Sequence, residues 1–161
     1  MTGNAPPPVI DSARVMSYAF VDDIPYHRWG SLYVGDTLLE QVPRLAICLN
    51  LGKDLGPLLF HCDPDWNVLG TTGGATIEEV KLRAEKNYPG VGDRWVDVNT
   101  SADAAIKYYD ETDGAKCSFC GKRPFEINDG WIEGNGAIIC TECVESFYKA
   151  FQDESNIENH G

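Results

Sequence analysis

The sequence predicts an α+β fold in two parts: an N-terminal α+β domain with a mainly antiparallel sheet, and a small cysteine-rich domain after it. Short apolar segments separated by turns that contain Pro, Asp and Gly are typical of antiparallel strands. Two segments with the apolar spacing of helices lie among them and supply the α component. Two matched CxxC pairs near the end of the chain indicate a second, separately organised domain.

The first fifty residues are predicted to form a flexible tail followed by strands. Residues 1–12 contain three consecutive prolines, which neither a helix interior nor a central strand accommodates. Residues 14–21 alternate smaller and larger side chains, which predicts a strand. Residues 31–42 have features of both a strand and a helix, and we expect a strand followed by a short helix capped by Asp36. Residues 45–51 are apolar except for one Asn and are predicted to form a buried strand.

A β-hairpin is predicted for residues 58–71. Asp63, Pro64 and Asp65 lie between its two apolar runs and fit a type I turn, because proline fixes φ and aspartates bond the backbone. An Asp-x-Asp after a buried strand also resembles the haloacid-dehalogenase phosphatases, in which the two aspartates act as nucleophile and acid/base with Mg²⁺. Trp66 replaces the small residue expected next, and few βαβ signals are present. A phosphatase using Asp63 and Asp65 is therefore a remote alternative.

Two helices and a strand complete the N-terminal domain. Thr76 and Glu79 form a capping box that predicts a helix to about Tyr88, where a Pro-Gly pair ends it. Residues 94–98 alternate and are predicted to form a strand, and residues 101–109 a short helix.

Two CxxC pairs carry the firmest functional prediction. Cys117 and Cys120 form the first pair, Cys140 and Cys143 the second, and 19 residues separate them. Two thiolates on one tight turn can reach one metal ion, and a tetrahedron needs a second such turn. Gly121 after the first pair lets the backbone curl toward the sulfurs. The spacing therefore predicts one structural Zn²⁺ held by these four cysteines.

The residues around the second pair predict a treble-clef arrangement. Residues 131–133 and 137–139 read as two strands joined by a Gly-Asn-Gly turn. A helix follows over residues 141–151, and one apolar face of it recurs at helical spacing. We expect this face, which includes Phe147 and Phe151, to pack inward against the hairpin.

The segment from about 115 to 152 resembles the four-cysteine zinc-binding domain of ClpX, the unfoldase ATPase of the Clp protease. The resemblance is carried by CSFCGK, by the apolar hairpin that ends in IIC and by CTECVESF. It implies a non-catalytic domain that dimerises and docks adaptors and substrates. The alternative is that zinc only holds a small domain together.

The predicted domain boundaries follow from these segments. They are a flexible tail at 1–12, an α+β domain of unrecognised family at 13–110, a linker at 111–116, the zinc domain at 117–152 and a flexible acidic tail at 153–161.

The composition limits the classes of partner. A net charge of −12 repels phosphate backbones, so a nucleic-acid partner is not expected. No segment has the length of a membrane span, and the N-terminus has no signal-peptide pattern, which predicts a cytoplasmic protein without a membrane partner. Together with these limits, the ClpX resemblance implies a bacterial adaptor or regulator without catalytic activity. An immunity-type inhibitor that neutralises a toxin through its acidic N-terminal domain is the alternative function.

The small size of the zinc domain predicts which of its residues contact a partner. So short a segment cannot bury all of its aromatic residues, and exposed aromatics often mark an interface. Phe119 at the first CxxC and Trp131 on the hairpin are the predicted contact residues, for a protein partner or for a second copy of the chain. The alternative is that these residues pack on the N-terminal domain of the same chain.

Overall fold

A computed structural model describes residues 3–158 of the chain, with side chains to residue 155. It combines helices with strands whose ladders are all antiparallel in the described part, which confirms the predicted α+β class. The residues divide into two compact units, Met1–Tyr109 and Asp110–Gly161. Between residues 3 and 158 no helix is long and apolar enough to cross a membrane.

Unit 1 is built on a six-stranded sheet and a small separate hairpin. The sheet has the order β1-β2-β5-β6-β7, and β8 also pairs with β2, while β3 and β4 pair only with each other. The strands are β1 (Val9–Ile10), β2 (Ala13–Phe20), β3 (Tyr33–Val34), β4 (Thr37–Leu38), β5 (Arg44–Asn50), β6 (Leu58–Cys62), β7 (Val68–Gly73) and β8 (Val96–Asp97). The helices are α1 (Ile77–Asn87), a 3-10 turn (Val91–Arg94) and α2 (Ala102–Thr112).

A β-bulge in β2 determines which side chains share a face. Val15 pairs with Cys48 and Ser17 pairs with Ile47, so Met16 is an extra residue in the ladder. A bulge shifts the alternation by one position, and the burial pattern therefore crosses from one face to the other within a single strand. Residues before the bulge pack on the second face described below, whereas Ala19 packs on the first.

The first face of the sheet is covered by α1. Val80, Ala84 and Tyr88 lie against Leu45 and Leu59 in one buried cluster. The Tyr88 hydroxyl accepts a hydrogen bond of 2.8 Å from the backbone N–H of Val42. This bond attaches the end of α1 to the residues that lead into β5.

The hydrogen bonds at the start of α1 match the predicted capping box except that the Glu79 side chain bonds the residue before Thr76. The Thr76 hydroxyl accepts from the Glu79 N–H at 3.1 Å. The Glu79 carboxylate in turn accepts from Ala75 at 2.8 Å, one residue before the cap. The helix therefore begins where the sequence predicted.

The second face is covered by an aromatic cluster and by the N-terminal residues. Trp66 packs edge-on against Tyr18, and the Arg44 guanidinium lies 5.2 Å from the Trp66 ring. The indole N–H of Trp66 donates to the Asn4 carbonyl at 2.9 Å. Residues predicted to be a flexible tail thus include β1 and a contact of Asn4 with this cluster, because a buried indole needs an acceptor that the segment supplies.

The sequence prediction was wrong for residues 31–42. They form the hairpin β3–β4 and not a strand followed by a helix. Gly35 has a φ of 62° and occupies the first loop position, as type II′ hairpin turns require. This turn makes Asp36 a loop residue, where it caps no helix. The predicted strand at 94–98 is also shorter, since a 3-10 turn precedes β8.

Unit 2 consists of a tight turn at residues 117–122, called the knuckle below, followed by a hairpin and a helix. Its elements after the end of α2 are a 3-10 turn (Pro124–Glu126), β9 (Trp131–Gly134), β10 (Ala137–Cys140) and α3 (Thr141–Glu158). Two differences from the predicted boundaries concern helix ends. α2 continues to Thr112, inside the expected linker, and α3 continues to Glu158, inside the expected acidic tail; residues 159–161 of that tail lie outside the described range.

Candidate metal centre

The four predicted cysteines come together at one point of unit 2. All four Sγ atoms lie within 4.8 Å of one another. Cys117 and Cys143 are 3.8 Å apart, and Cys120 and Cys140 are 3.7 Å apart. A tetrahedron with Zn–S bonds of about 2.3 Å has S–S edges of about 3.8 Å. A disulfide needs sulfurs at roughly 2 Å, so the spacing fits a metal and excludes a cross-link.

The first pair is shaped by a tight knuckle. The Gly121 N–H donates to the Cys117 carbonyl at 2.9 Å, and the Cys117 N–H donates to the Lys122 carbonyl at 2.8 Å. Gly121 has a φ of 74°, which an L-side chain adopts only with strain. This is the curl that the glycine after the second cysteine predicted.

The second pair lies where the hairpin passes into α3. Cys140 is the last residue of β10 and is fully buried, and Cys143 lies in the first turn of the helix. The Ser118 N–H donates to the Ile138 carbonyl at 2.7 Å, and the Ser118 hydroxyl accepts from the Ile138 N–H at 3.1 Å. These bonds attach the knuckle to β10 and bring the two pairs to one site.

Backbone N–H groups and burial act on the thiols in opposite directions. Hydrogen bonds from backbone N–H groups, first that of Cys120, hold the pKa of Cys117 down to about 6. Removal from water raises the pKa of Cys143 to about 12. A metal ion reverses the second effect, because thiols lose their protons when they bind it. Zinc binding therefore has to displace the proton of Cys143, whereas the backbone N–H groups already favour the thiolate of Cys117.

Two ion pairs connect the residues that follow the first CxxC pair to other parts of unit 2, and the sequence analysis missed both. Arg123 makes a two-point contact with Asp110, with nitrogen to oxygen distances of 2.7 and 2.6 Å. This guanidinium lowers the pKa of Asp110 to about 2. Lys122 in the knuckle pairs with Glu142 in the first turn of α3. Neither partner is near the other in sequence, so only the folded knuckle brings them together.

Most aromatic residues of unit 2 are exposed, and these include the helix face that was expected to be inside. Only Cys117, Ile127 and Cys140 form the buried cluster of the described part of unit 2. Phe119 is 61% exposed and packs edge-on against Phe147 with ring centroids 5.2 Å apart. The prediction for the helix was wrong: the buried cluster is formed by the cysteines and Ile127, and Phe147 and Phe151 lie outside it. The remaining exposed apolar side chains are Trp131, Ile132, Val144, Tyr148 and Phe151.

Asp63 and Asp65 form a turn, as the first interpretation of that segment predicted. One carboxylate oxygen of Asp63 accepts from the N–H groups of Asp65 and Asn67 at 2.8 and 3.0 Å, and the other accepts from the Asn67 side chain at 2.9 Å. The strands on either side pair antiparallel. Both oxygens of Asp63 are thus occupied by the turn, and the parallel sheet of the phosphatase alternative does not form.

Comparison with protein families supports the assignment of the zinc domain. The model of the ClpX C4-type zinc finger matches residues 115–153. No solved structure matches the chain. With the sulfur geometry, this match identifies Cys117, Cys120, Cys140 and Cys143 as a structural Zn²⁺ site of the ClpX type.

Proposed function

We propose that the chain is a non-catalytic interaction protein whose zinc domain joins two copies of it. The observation that carries this is the aromatic face of unit 2, which we define as Phe119, Val144, Phe147, Tyr148 and Phe151. Four of these recur on α3 at the spacing of one helix face, and Phe119 extends that face onto the knuckle. Tyr148 is 64% and Phe151 70% exposed.

Exposed aromatic residues at this density favour an interface. Aromatic side chains are enriched in the buried centre of protein interfaces, and a contiguous apolar patch on a small domain is unfavourable in water. A second copy offers the same face to itself under two-fold symmetry, so no further partner is required.

A structural role for zinc agrees with this function. Four thiolates complete the coordination of Zn²⁺, so the ion has no open position for a substrate. What zinc contributes is folding free energy, which holds the knuckle and α3 at fixed positions. The aromatic face is then a rigid surface and loses little conformational freedom on binding.

The ClpX resemblance supports the same function, because the ClpX domain dimerises and docks adaptors. A role as adaptor or regulator in the bacterial cytoplasm is part of the proposal. Trp131, predicted as a contact residue, lies on the hairpin and belongs to the edge of this interaction surface in our proposal.

Sedimentation of the full chain with one equivalent of Zn²⁺ tests the proposal. We expect a dimer at tens of micromolar that Phe151→Ser weakens at least tenfold, with a smaller effect of Trp131→Ala. Leu82→Ser is the matched control, since Leu82 is an equally exposed apolar helix residue in unit 1. A monomer at this concentration, or equal weakening by Leu82→Ser, would contradict self-association through the zinc domain.

A further inference from the structure

A cavity in unit 1 lies between α1, the sheet and the hairpin β3–β4. It has a volume of about 200 Å³. Its walls are mainly apolar and include two aromatic side chains and three leucines. These are Tyr26, Trp29, Leu32, Leu39 and Leu59. Gly70 lies against two of these leucines, and a Cβ atom at this position would lie 2.8 Å from Leu39 and 3.0 Å from Leu32.

Two buried polar groups at this cavity have no hydrogen-bond partner among the described residues. They are the Nε2 atom of His61 and the hydroxyl of Thr72. His61 is 9% exposed and follows Leu59 on the face of β6 that carries α1, while Thr72 pairs with Leu59 on the neighbouring strand. Buried polar groups are almost always hydrogen-bonded, so such a pair beside a cavity indicates a missing partner.

The two charged residues that line the cavity, Arg83 and Glu40, are already paired. Arg83 donates to the Gly73 carbonyl and to Glu79, and Glu40 accepts from Arg28. Burial also lowers the pKa of His61 to about 4, so its imidazole is neutral near pH 7. A neutral imidazole offers one donor and one acceptor nitrogen. An uncharged ligand fits these lining groups, whereas a charged one would find no unpaired countercharge among the lining residues.

We propose that this cavity binds a small uncharged organic molecule with a ring-sized apolar body and one hydroxyl group. The ring lies among Tyr26, Trp29 and the leucines. The Nε2 atom of His61 and the hydroxyl of Thr72 have almost no surface open to water, so both side chains turn toward the ligand hydroxyl when they hydrogen-bond it. The volume suits a single ring, because a cavity of about 150 Å³ is enough for benzene. Apolar walls with a few placed polar groups are the usual composition of ligand sites.

Phenol is the test ligand, and toluene is the control ligand, which has a similar shape but no hydroxyl group. NMR titration of the full-length zinc-loaded protein follows the imidazole ¹⁵N signals and the backbone amides of β6 and β7. We expect saturable phenol binding at one site, at least fivefold tighter than toluene, with a shift of the His61 signals.

Two variants separate the hydroxyl contact from the fold. His61→Phe should keep toluene binding and remove the preference for phenol, and Thr72→Val should reduce that preference if His61→Phe does not fold. Phenol binding unchanged in both variants would overturn the proposal, and so would the absence of saturable binding, which would make the cavity a site for water only. Tighter binding of benzoate than of phenol would also overturn it, in favour of an anion site at Arg83.

Discussion

At the scale of single residues, the zinc ligands are the positions where the loss of one sulfur atom is expected to unfold a domain. Cys140 has no exposed surface and joins three parts of unit 2: its N–H lies 3.4 Å from the Cys117 sulfur, its own sulfur lies 3.7 Å from Cys120, and it pairs with Trp131 in the hairpin. With so few other buried residues in the unit, metal binding supplies most of its stability.

Replacing Cys140 with Ser should therefore remove zinc and unfold unit 2. The reason is that structural zinc contributes about 10–16 kcal/mol of apparent binding free energy in small finger peptides. Elemental analysis should fall from one Zn²⁺ per chain to none, and the amide signals of residues 117–150 should collapse. Cys48→Ala is the control, because Cys48 is a buried thiol of unit 1 outside the metal site. One Zn²⁺ retained by the Cys140 variant would contradict this set of ligands.

His61 is a second residue with a large effect on stability, because its protonation makes the free energy of unfolding depend on pH. Burial lowers its pKa to about 4 in the folded protein, while an unfolded chain has a value near 6.5. Between these values the unfolded state binds the extra proton. Stability is thus fully present above about pH 6.5 and is lost as the pH falls toward 4.

We expect unit 1 to lose about 2 kcal/mol of unfolding free energy between pH 7 and pH 5 from this residue alone. Urea unfolding followed by the amide signals of β5 measures the loss. His61→Phe should flatten the profile over the same range, since phenylalanine binds no proton. The reverse sign, with wild type more stable at pH 5, would mean that His61 is charged in the folded state.

At the scale of elements, the hairpin of the zinc domain shows how a local turn determines a register. Asn135 and Gly136 have φ values of 49° and 73°, and Gly134 pairs with Ala137 on either side of them. Two positive φ values at the centre of a two-residue loop are those of a type I′ turn, which fits the twist of the strands.

Gly136→Ala should destabilise the zinc domain by about 1 kcal/mol, because an L-residue is strained at this φ. A Cβ atom at Gly136 would meet nothing within 4 Å, so the effect is conformational and not steric. Gly134→Ala is the matched control: the same atom would also meet nothing, and its φ is not positive. The rate of zinc loss to a chelator should rise about fivefold for the first variant and little for the second. Equal rates for the two would argue against the turn.

The elements also show what the sequence could and could not predict. Each CxxC pair, the hairpin at residues 131–140 and the helix after Thr76 depend on residues close in sequence, and the matched spacing of the two pairs was enough to predict one shared metal site. The bulge at Met16 was not predictable, since it depends on how β2 pairs with β5 thirty residues later. The pairing of Arg123 with Asp110 and the cavity beside His61 arise in the same way from long-range contacts.

The outward position of Phe147 was mispredicted for a different physical reason. Helical spacing identified the apolar face of α3 correctly, but it does not state what the face packs against. Amphipathic helices usually bury that face in their own domain. Here the metal replaces a hydrophobic core, and the face stays exposed.

At the scale of the whole molecule, charge opposes the association that we propose. Residues 113–161 contain 4 Lys and Arg against 9 Asp and Glu, and a Zn²⁺ ion with four thiolates adds about two negative charges. Two such domains repel one another in dilute salt, whereas their aromatic faces attract through burial of apolar surface.

The dimer should therefore become tighter as salt is added. Raising NaCl from about 50 to 500 mM shortens the Debye length from about 14 Å to about 4 Å, which screens the repulsion and leaves the apolar contact intact. We expect the dissociation constant in sedimentation equilibrium to fall about threefold or more over this range. Phe151→Ser should weaken the dimer equally at both salt concentrations, because the side chain that it removes is uncharged. A dimer that salt weakens would be held by ion pairs, and the aromatic face would then not be its interface.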